Sequence, residues 1–199
     1  ARQIELGMCP VNAIRVAYTG ELGWELHHPI EMQNYLWDLL LGAGEKHGLK
    51  LVGARAQNWL RQEKSYRAFG TELGRDATPI EADLPRFVDL GKDFHGKAAM
   101  VETGVRSKCV TLLIDGPSDA DPWGKEALVD PETGAKIGRL TSGGYSVAFG
   151  KQIGMGYVPV AKSEVGTKLK VRMMRDLWDA VVVEDSPYDP TNTTIRIDG

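Results

Sequence analysis

Apolar and polar positions along this 199-residue chain first alternate, then recur at helical spacing, then alternate again. Arg15, Ala17, Trp24, Leu26 and His28 sit in alternating runs, which predicts paired strands over 12–18 and 23–28. Met32, Tyr35, Leu36, Leu39, Leu40 and Ala43 then form one apolar stripe of a helix, punctuated at its end by Gly42, Gly44 and Gly48. A shorter helix is expected from Ala54 to about Lys64, with Trp59 and Leu60 inward. Residues 66–82 are polar and turn-rich and read as an ordered surface loop. Leu84 to Leu90 reads as a strand and Gly96 to Glu102 as a short helix, closing a mixed region near residue 104. Beyond it, strands are predicted over 108–114, 127–130, 136–141, 153–158, 168–173 and 180–183, with Gly143-Gly144 in a turn. Short strands at that spacing, with no clear helix, indicate a small barrel or sandwich. The fold class is α+β followed by an all-β region.

The turn between the first two predicted strands carries the most chemistry. In Tyr18-Thr19-Gly20-Glu21-Leu22-Gly23-Trp24-Glu25 the two glycines permit backbone angles that other residues avoid. Strand alternation then places Glu25 on the face opposite Trp24 and Leu26, beside His27. A carboxylate so placed is able to accept two parallel N–H bonds from a flat heterocycle. It is equally a solvated charge on a hairpin, the commoner fate of such a residue.

Composition narrows the classes. The chain is 42% hydrophobic and 26% charged, enough apolar content for a core. With 24 basic and 27 acidic residues the formal charge is −3, which gives no footprint for nucleic acid or an anionic membrane. No apolar run approaches the roughly 18 residues that span a bilayer, and no secretory signal pattern is present. Cys9 and Cys109 lack ligand partners at metal-site spacing and are expected as buried free thiols in a reducing compartment. His27 and His28, adjacent on a strand, face opposite ways, and His47 and His95 are isolated, so no metal site is expected. Dinucleotide, phosphate-loop, zinc-protease and nucleophile-elbow motifs are all missing. The start on Ala1 suggests a processed product or the C-terminal part of something longer.

Four blocks resemble the folate-binding aminomethyltransferase family, the T-protein of glycine cleavage and its relatives. They are Tyr18 to Glu25; Leu60-Arg61-Gln62-Glu63-Lys64-Ser65-Tyr66-Arg67-Ala68-Phe69-Gly70; Thr78-Pro79-Ile80-Glu81-Ala82 with Leu84 and Phe94-His95-Gly96-Lys97; and Gly138 to Ser146 with Ile153 to Val158. Ala56-Gln57-Asn58 before the Leu-Arg pair, and the tail Pro187-Tyr188-Asp189-Pro190, are more similar to the C-terminal folate region of dimethylglycine and sarcosine dehydrogenases.

The resemblance implies an incomplete ferredoxin-like folate-binding lobe over about 1–104 and a β-barrel over about 105–199. It implies tetrahydrofolate as cofactor, with FAD on an upstream domain of the same polypeptide, and a small methylated amine as substrate. Tyr18 and Glu25 would contact the pterin, Tyr66 would lie near the folate, and His27 shares the Glu25 face. Arg86 stands where relatives often have an aromatic residue, and Gln57 replaces an Arg that helps hold folate in the glycine-cleavage enzymes. The family's catalytic Asp belongs to a half that precedes this chain, so no catalytic residue is expected here. Arg61 and Glu63 are expected to pair around a helix end, Glu81 to cap a turn, and Tyr145 either to cover the site or to pack in the core.

The implied reaction is attack by folate N5 on a methylene or iminium carbon of an N-methyl amine, giving methylenetetrahydrofolate and the demethylated amine. Removal of an O- or S-methyl group, or a non-catalytic regulatory or assembly module, are the alternatives, and mass analysis of the folate product separates the first two. The expected location is the cytoplasm or the mitochondrial matrix. A lobe that lacks strands leaves a sheet edge or apolar face uncovered. The isolated 199-residue chain is therefore expected to be poorly stable or to associate. Sedimentation and unfolding at several concentrations check this, and a sharp, concentration-independent monomeric transition would contradict it.

Overall fold

The computed structural model describes residues 1–117 and 119–196. They cluster into two compact units, Ala1–Gln57 with the stretch from Thr191, and Asn58–Pro190.

The first unit is a three-stranded antiparallel sheet in the order β1-β2-β3 with a helix beneath it. Strands β1 (Arg2–Leu6) and β2 (Cys9–Ile14) form a hairpin around Gly7-Met8, and β3 (Glu25–His27) pairs with β2. Gly7 takes φ +60, as a two-residue hairpin loop requires. Strand β1 was not expected, although Gln3, Ile4, Glu5 and Leu6 alternate in the pattern of a half-buried strand. The expected strand 12–18 begins earlier and ends at Ile14, and 23–28 shortens to three residues. Cys9, Val11 and Ala13 point inward from β2 against Leu36 of α1 (Gln33–Gly44), with Leu26, Met32 and Tyr35 packed around them. The other sheet face carries Gln3, Glu5, Pro10, Asn12 and His27 around an open groove of about 810 Å³. Gly20 adopts φ +82 as the turn requires, but Gly23 does not take a positive φ. Its value lies in size, because a Cβ there would stand 2.7 Å from that of Ala17.

The second unit contains a closed antiparallel barrel, β4 (Ser107–Ile114), β7 (Lys151–Pro159), β6 (Lys136–Ser146), β5 (Ala127–Val129), β8 (Lys168–Met173) and β9 (Asp176–Val183), with β9 returning to β4. Closure removes both sheet edges. Alternate residues fill the interior: Val110, Leu112 and Ile114; Leu169, Val171 and Met173; Ala180 and Val182. Each expected strand in this half is present, several of them longer than expected. Gly143 and Gly144 are not a turn but lie inside β6. The ring of Trp59 rests on Gly144, where a Cβ would sit 2.1 Å from Trp59 Cδ1, and Tyr145 meets Trp59 edge to face at 6.4 Å.

Helix α2 (Ala54–Glu63) confirms the expected segment but not its inward face. Trp59 and Leu60 are half-buried, whereas Arg61, Gln62 and Glu63 are buried. The expected strand at 84–90 is instead a helical turn at Pro85–Phe87, closed by Phe87 N–H to Leu84 O (3.1 Å) and Val88 N–H to Pro85 O (3.0 Å). Pro85 fixes φ near the helical value and cannot donate to a ladder. Helix α3 (Lys97–Thr103) lies where a short helix was expected. Cys9 and Cys109 are buried and unpaired. Burial pushes the Cys109 thiol up to about 12, against the opposing pull of Arg67, so it is neutral at pH 7.

Replacing Gly144 with Ala forces a Cβ into the Trp59 ring. The expected loss is about 1–3 kcal/mol of stability, measured by chemical denaturation with Trp59 as fluorescent reporter.

Candidate functional site

Glu25 and His27 are two residues apart on β3 and therefore share a face. Their side chains pair at 3.0 Å between Glu25 Oε2 and His27 Nε2, and both are more than half exposed, 54% and 57%. His27 stands opposite Asn12 and lines the groove on the outer sheet face; Glu25 stands opposite Ile14 and is not among the lining residues. The arrangement expected for Glu25 and His27 is thus present, in solvent and beside a cleft.

Tyr18 lies half-buried in the bend between β2 and β3. The bend is braced from the chain's far end, where Thr194 Oγ1 donates to Gly20 O (3.3 Å) and Arg15 Nη2 to Ile195 O (3.2 Å). Gln57 is exposed, and its backbone N–H donates to Gly53 O.

Tyr66 and Arg86 belong to the second unit. Tyr66 follows the end of α2, its N–H donating to Arg61 O (2.9 Å) and its carbonyl accepting from Arg61 Nη1 (2.7 Å). Burial raises its phenol above 10.0, the Arg86 charge opposes that rise, and Asp189 adds to it, so Tyr66 is a neutral donor at physiological pH. Arg86 is exposed and its guanidinium carbon lies 4.8 Å from the centroid of the Phe87 ring, a cation–π contact with its own neighbour.

Beneath Tyr66 lies a buried polar network that the sequence did not announce. Arg61, 2% exposed, does not pair with Glu63. It binds Glu72 Oε2 (3.0 Å), Asn58 Oδ1 (2.8 Å), Tyr66 O and the Ser142 hydroxyl. Glu63 turns instead to Ser146 Oγ and the Ala148 N–H (3.2 Å). Glu72 comes from the middle of the segment expected at the surface, and is fully buried. Its Oε2 also accepts from Thr71 Oγ1 (2.7 Å) and the Ala68 N–H (3.0 Å), and its Oε1 from Thr141 Oγ1 (2.7 Å) and Ser142 Oγ. Two neighbouring strand residues reach one oxygen because β6 carries an irregularity between Leu140 and Ser142 that breaks the alternation. Burial alone would raise the Glu72 carboxyl; the Arg61 charge and these donors outweigh it and hold it below its ordinary value.

Glu81 caps its turn as expected. Its Oε2 accepts from the Thr78 N–H (2.9 Å) while Thr78 Oγ1 accepts from the Glu81 N–H (3.1 Å). Its Oε1 further accepts from Arg106 N–H and Nε, 3.1 Å each, tying the turn to the residue that precedes β4. Burial works against the charge, but the Arg106 side chain and the amides of Thr78 and Arg106 bring this carboxyl down to about 2. Among the described residues no group of three or more His, Cys, Asp or Glu is placed to hold a metal ion, and no helix is long and apolar enough to cross a membrane.

These features meet in one family. The model of the GCVT N-terminal domain matches residues 1–92, and that of the glycine cleavage T-protein C-terminal barrel domain matches 108–189. The chain belongs to the glycine cleavage T-protein (aminomethyltransferase) family. Among its relatives, mitochondrial dimethylglycine dehydrogenase of Homo sapiens is 39% identical over 100% of this chain and 23% of that protein; the Rattus norvegicus protein is 38% identical over 100% and 24%. The aminomethyltransferase of Caldanaerobacter subterraneus is 35% identical over 87% of this chain and 46% of that protein. The crystal structure of the glycine cleavage system aminomethyltransferase T from Bartonella henselae superposes with a TM-score of 0.79 at 30% identity, covering 89% of this chain and 49% of that one. The chain thus spans about a quarter of the dehydrogenases and about half of the aminomethyltransferases.

Glu72→Gln leaves Arg61 buried without its counter-ion, and a loss of about 3–5 kcal/mol is expected in denaturant titrations. The acid limb of stability follows from Glu81. Its folded value is depressed from 4.5 to about 2, so its contribution is complete above 4.5 and lost as pH falls through that window. Thermal unfolding followed from pH 6 to pH 2 should show that fall, and Glu81→Gln should flatten it while lowering stability at neutral pH.

Proposed function

We propose that this chain is the folate-binding C-terminal part of a tetrahydrofolate-dependent one-carbon transferase acting on an N-methyl amine, as the folate module of a dimethylglycine or sarcosine dehydrogenase type of protein. The observation that carries the reading is the Glu25–His27 pair, solvent-facing beside a groove, in a chain whose whole length aligns with about a quarter of the dimethylglycine dehydrogenases. The residues fit the cofactor chemically. A carboxylate more than half exposed is able to exchange its His27 partner for the amino and N–H groups of a pterin at small cost. His27 offers either a donor or an acceptor, according to its tautomer.

Tetrahydrofolate, when bound, supplies the N5 nucleophile that takes up the one-carbon unit. This chain's part is to bind and orient. Glu25 and Tyr18 hold the ring, and His27 flanks Glu25. By the resemblance, Tyr66 and Arg86 are the groups that the second unit offers to folate, a neutral phenolic donor and a positive charge. The acid–base group, and an FAD domain that oxidises the amine, are assigned to the remainder of the polypeptide preceding this chain. The folate lobe extends to about 104 and the barrel starts near 105, a division that the two matched stretches support.

Calorimetric titration of the intact polypeptide with tetrahydrofolate tests the reading. Glu25→Gln removes a charge-assisted bond and should weaken binding roughly ten- to hundredfold. Unchanged affinity would remove Glu25 from the site.

A further inference from the structure

Between β2 and β3 the chain runs from Arg15 to Trp24 without helix or strand. Its two limbs fold close together, since a Cβ on Gly23 would stand 2.7 Å from that of Ala17, and Gly20 is buried at φ +82. A short helical turn, Thr194–Arg196, closed by Arg196 N–H to Thr193 O (3.1 Å), clasps this bend at two points. Thr194 Oγ1 donates to Gly20 O (3.3 Å), and Arg15 Nη2 donates to Ile195 O (3.2 Å). Tyr18 lies between the two fastened residues, and Glu25 opens β3 opposite Ile14, the residue before Arg15. Residues up to Pro190 cluster with the barrel, where buried Lys64 donates from Nζ to the carbonyls of Tyr188 (3.1 Å) and Asp189 (2.6 Å). From Thr191 the chain clusters instead with the sheet that carries Glu25. The turn lies outside both matched family domains, 1–92 and 108–189.

We propose that the 194–196 turn is a clasp that presets the Tyr18–Glu25 bend for folate, with Thr194 and Arg15 as positioning residues. The role rests on the folate reading of Tyr18 and Glu25. The physical case is one of conformational entropy. An irregular stretch has no ladder to fix it, and a ligand that met it loose would have to order it at the expense of affinity. Bonds made in advance by another segment remove that cost. Here they fall on Arg15 and Gly20, so the backbone that carries Tyr18 is held at both ends. Gly20 is buried, and a buried carbonyl left without a donor is costly; Thr194 supplies one. The core of this unit, Cys9, Val11 and Ala13 against Leu36, involves neither bond. The clasp therefore serves the bend and not the packing beneath the sheet.

The test uses the intact polypeptide. Tetrahydrofolate affinity is read by calorimetry, and amide hydrogen exchange over 15–24 by mass spectrometry. Thr194→Val keeps the side-chain shape and removes the donor. Arg15→Met keeps the aliphatic stem and removes the guanidinium. Thr194→Ser keeps the hydroxyl. The Thr194 bond is long for a hydroxyl donor, so Thr194→Val is expected to weaken tetrahydrofolate binding only about two- to fivefold. The double variant with Arg15→Met should weaken it about three- to thirtyfold. Exchange over 15–24 without folate should quicken in the same order, and saturating tetrahydrofolate should slow it again. Thr194→Ser should match the original protein in both readings. Unchanged affinity in the double variant, while Glu25→Gln binds weakly, would overturn the proposal. So would unchanged exchange over 15–24, or a loss of affinity that Thr194→Ser shares. If Glu25→Gln binds tetrahydrofolate normally, the folate reading fails and the positioning role with it, while exchange over 15–24 still reports whether the turn holds the bend.

Discussion

Arg61 carries a fixed charge into a region where less than a twentieth of its surface meets water, and Glu72 is drawn in to meet it. An ion pair at that depth gains from weak screening and loses from desolvation, and the balance is favourable only if every other lone pair and N–H is matched. Here most are. Glu72 accepts from one guanidinium, three hydroxyls and one backbone amide, and Arg61 spends its remaining donors on Asn58, Tyr66 O and Ser142. The pair joins three pieces distant in sequence: the end of α2, the 66–82 segment and strand β6. It also sets the backbone of Tyr66, which Arg61 holds from both sides.

The barrel gives that network a rigid wall. Its interior is filled by alternate apolar side chains, so its outward residues are held in register by hydrogen bonds on both flanks. Where regular alternation would have sent Thr141 and Ser142 to opposite faces, the irregularity in β6 turns both hydroxyls to one carboxylate oxygen. Glycine at 143 and 144 lets Pro122 and Trp59 approach the strand backbone. Left-handed backbone at Ser65, Ser186 and Asp189 costs on the order of 1 kcal/mol or more at each position, and the bonds to Lys64, Glu63 and Ser65 offset it.

The Arg61–Glu72 and Glu25–His27 pairs stand in opposite surroundings. Glu72 is shielded and saturated, so its charge is unavailable to a ligand and its value is structural. Glu25 pairs with an exposed imidazole and is itself more than half exposed, so a heterocycle would displace little to reach it. Exposure, more than charge, decides whether a carboxylate is open to a ligand.

What the sequence determined by itself was whatever repeats with a fixed period or rests on a local signal. The α1 stripe, the alternating strands of the second half, the placement of Glu25 and His27 on one face, and the Thr78–Glu81 cap all follow from spacing along the chain. The family could be read too, because its blocks are short runs of neighbouring residues. The packing of the folded chain settled which polar groups are buried and with whom. Glu72 looks like any loop carboxylate, and Lys64 like any charge on a helix end. Their partners lie 11, 70 and 125 residues away in sequence, and no local pattern encodes such distances. The same holds for the errors. Trp59 and Leu60 were expected inward on hydrophobicity, yet hydrogen bonding draws Arg61, Gln62 and Glu63 deeper; Pro85 overrode the strand pattern of its neighbours; and Gly143-Gly144 serve close packing within a strand, a need visible only once Trp59 and Pro122 lie upon it.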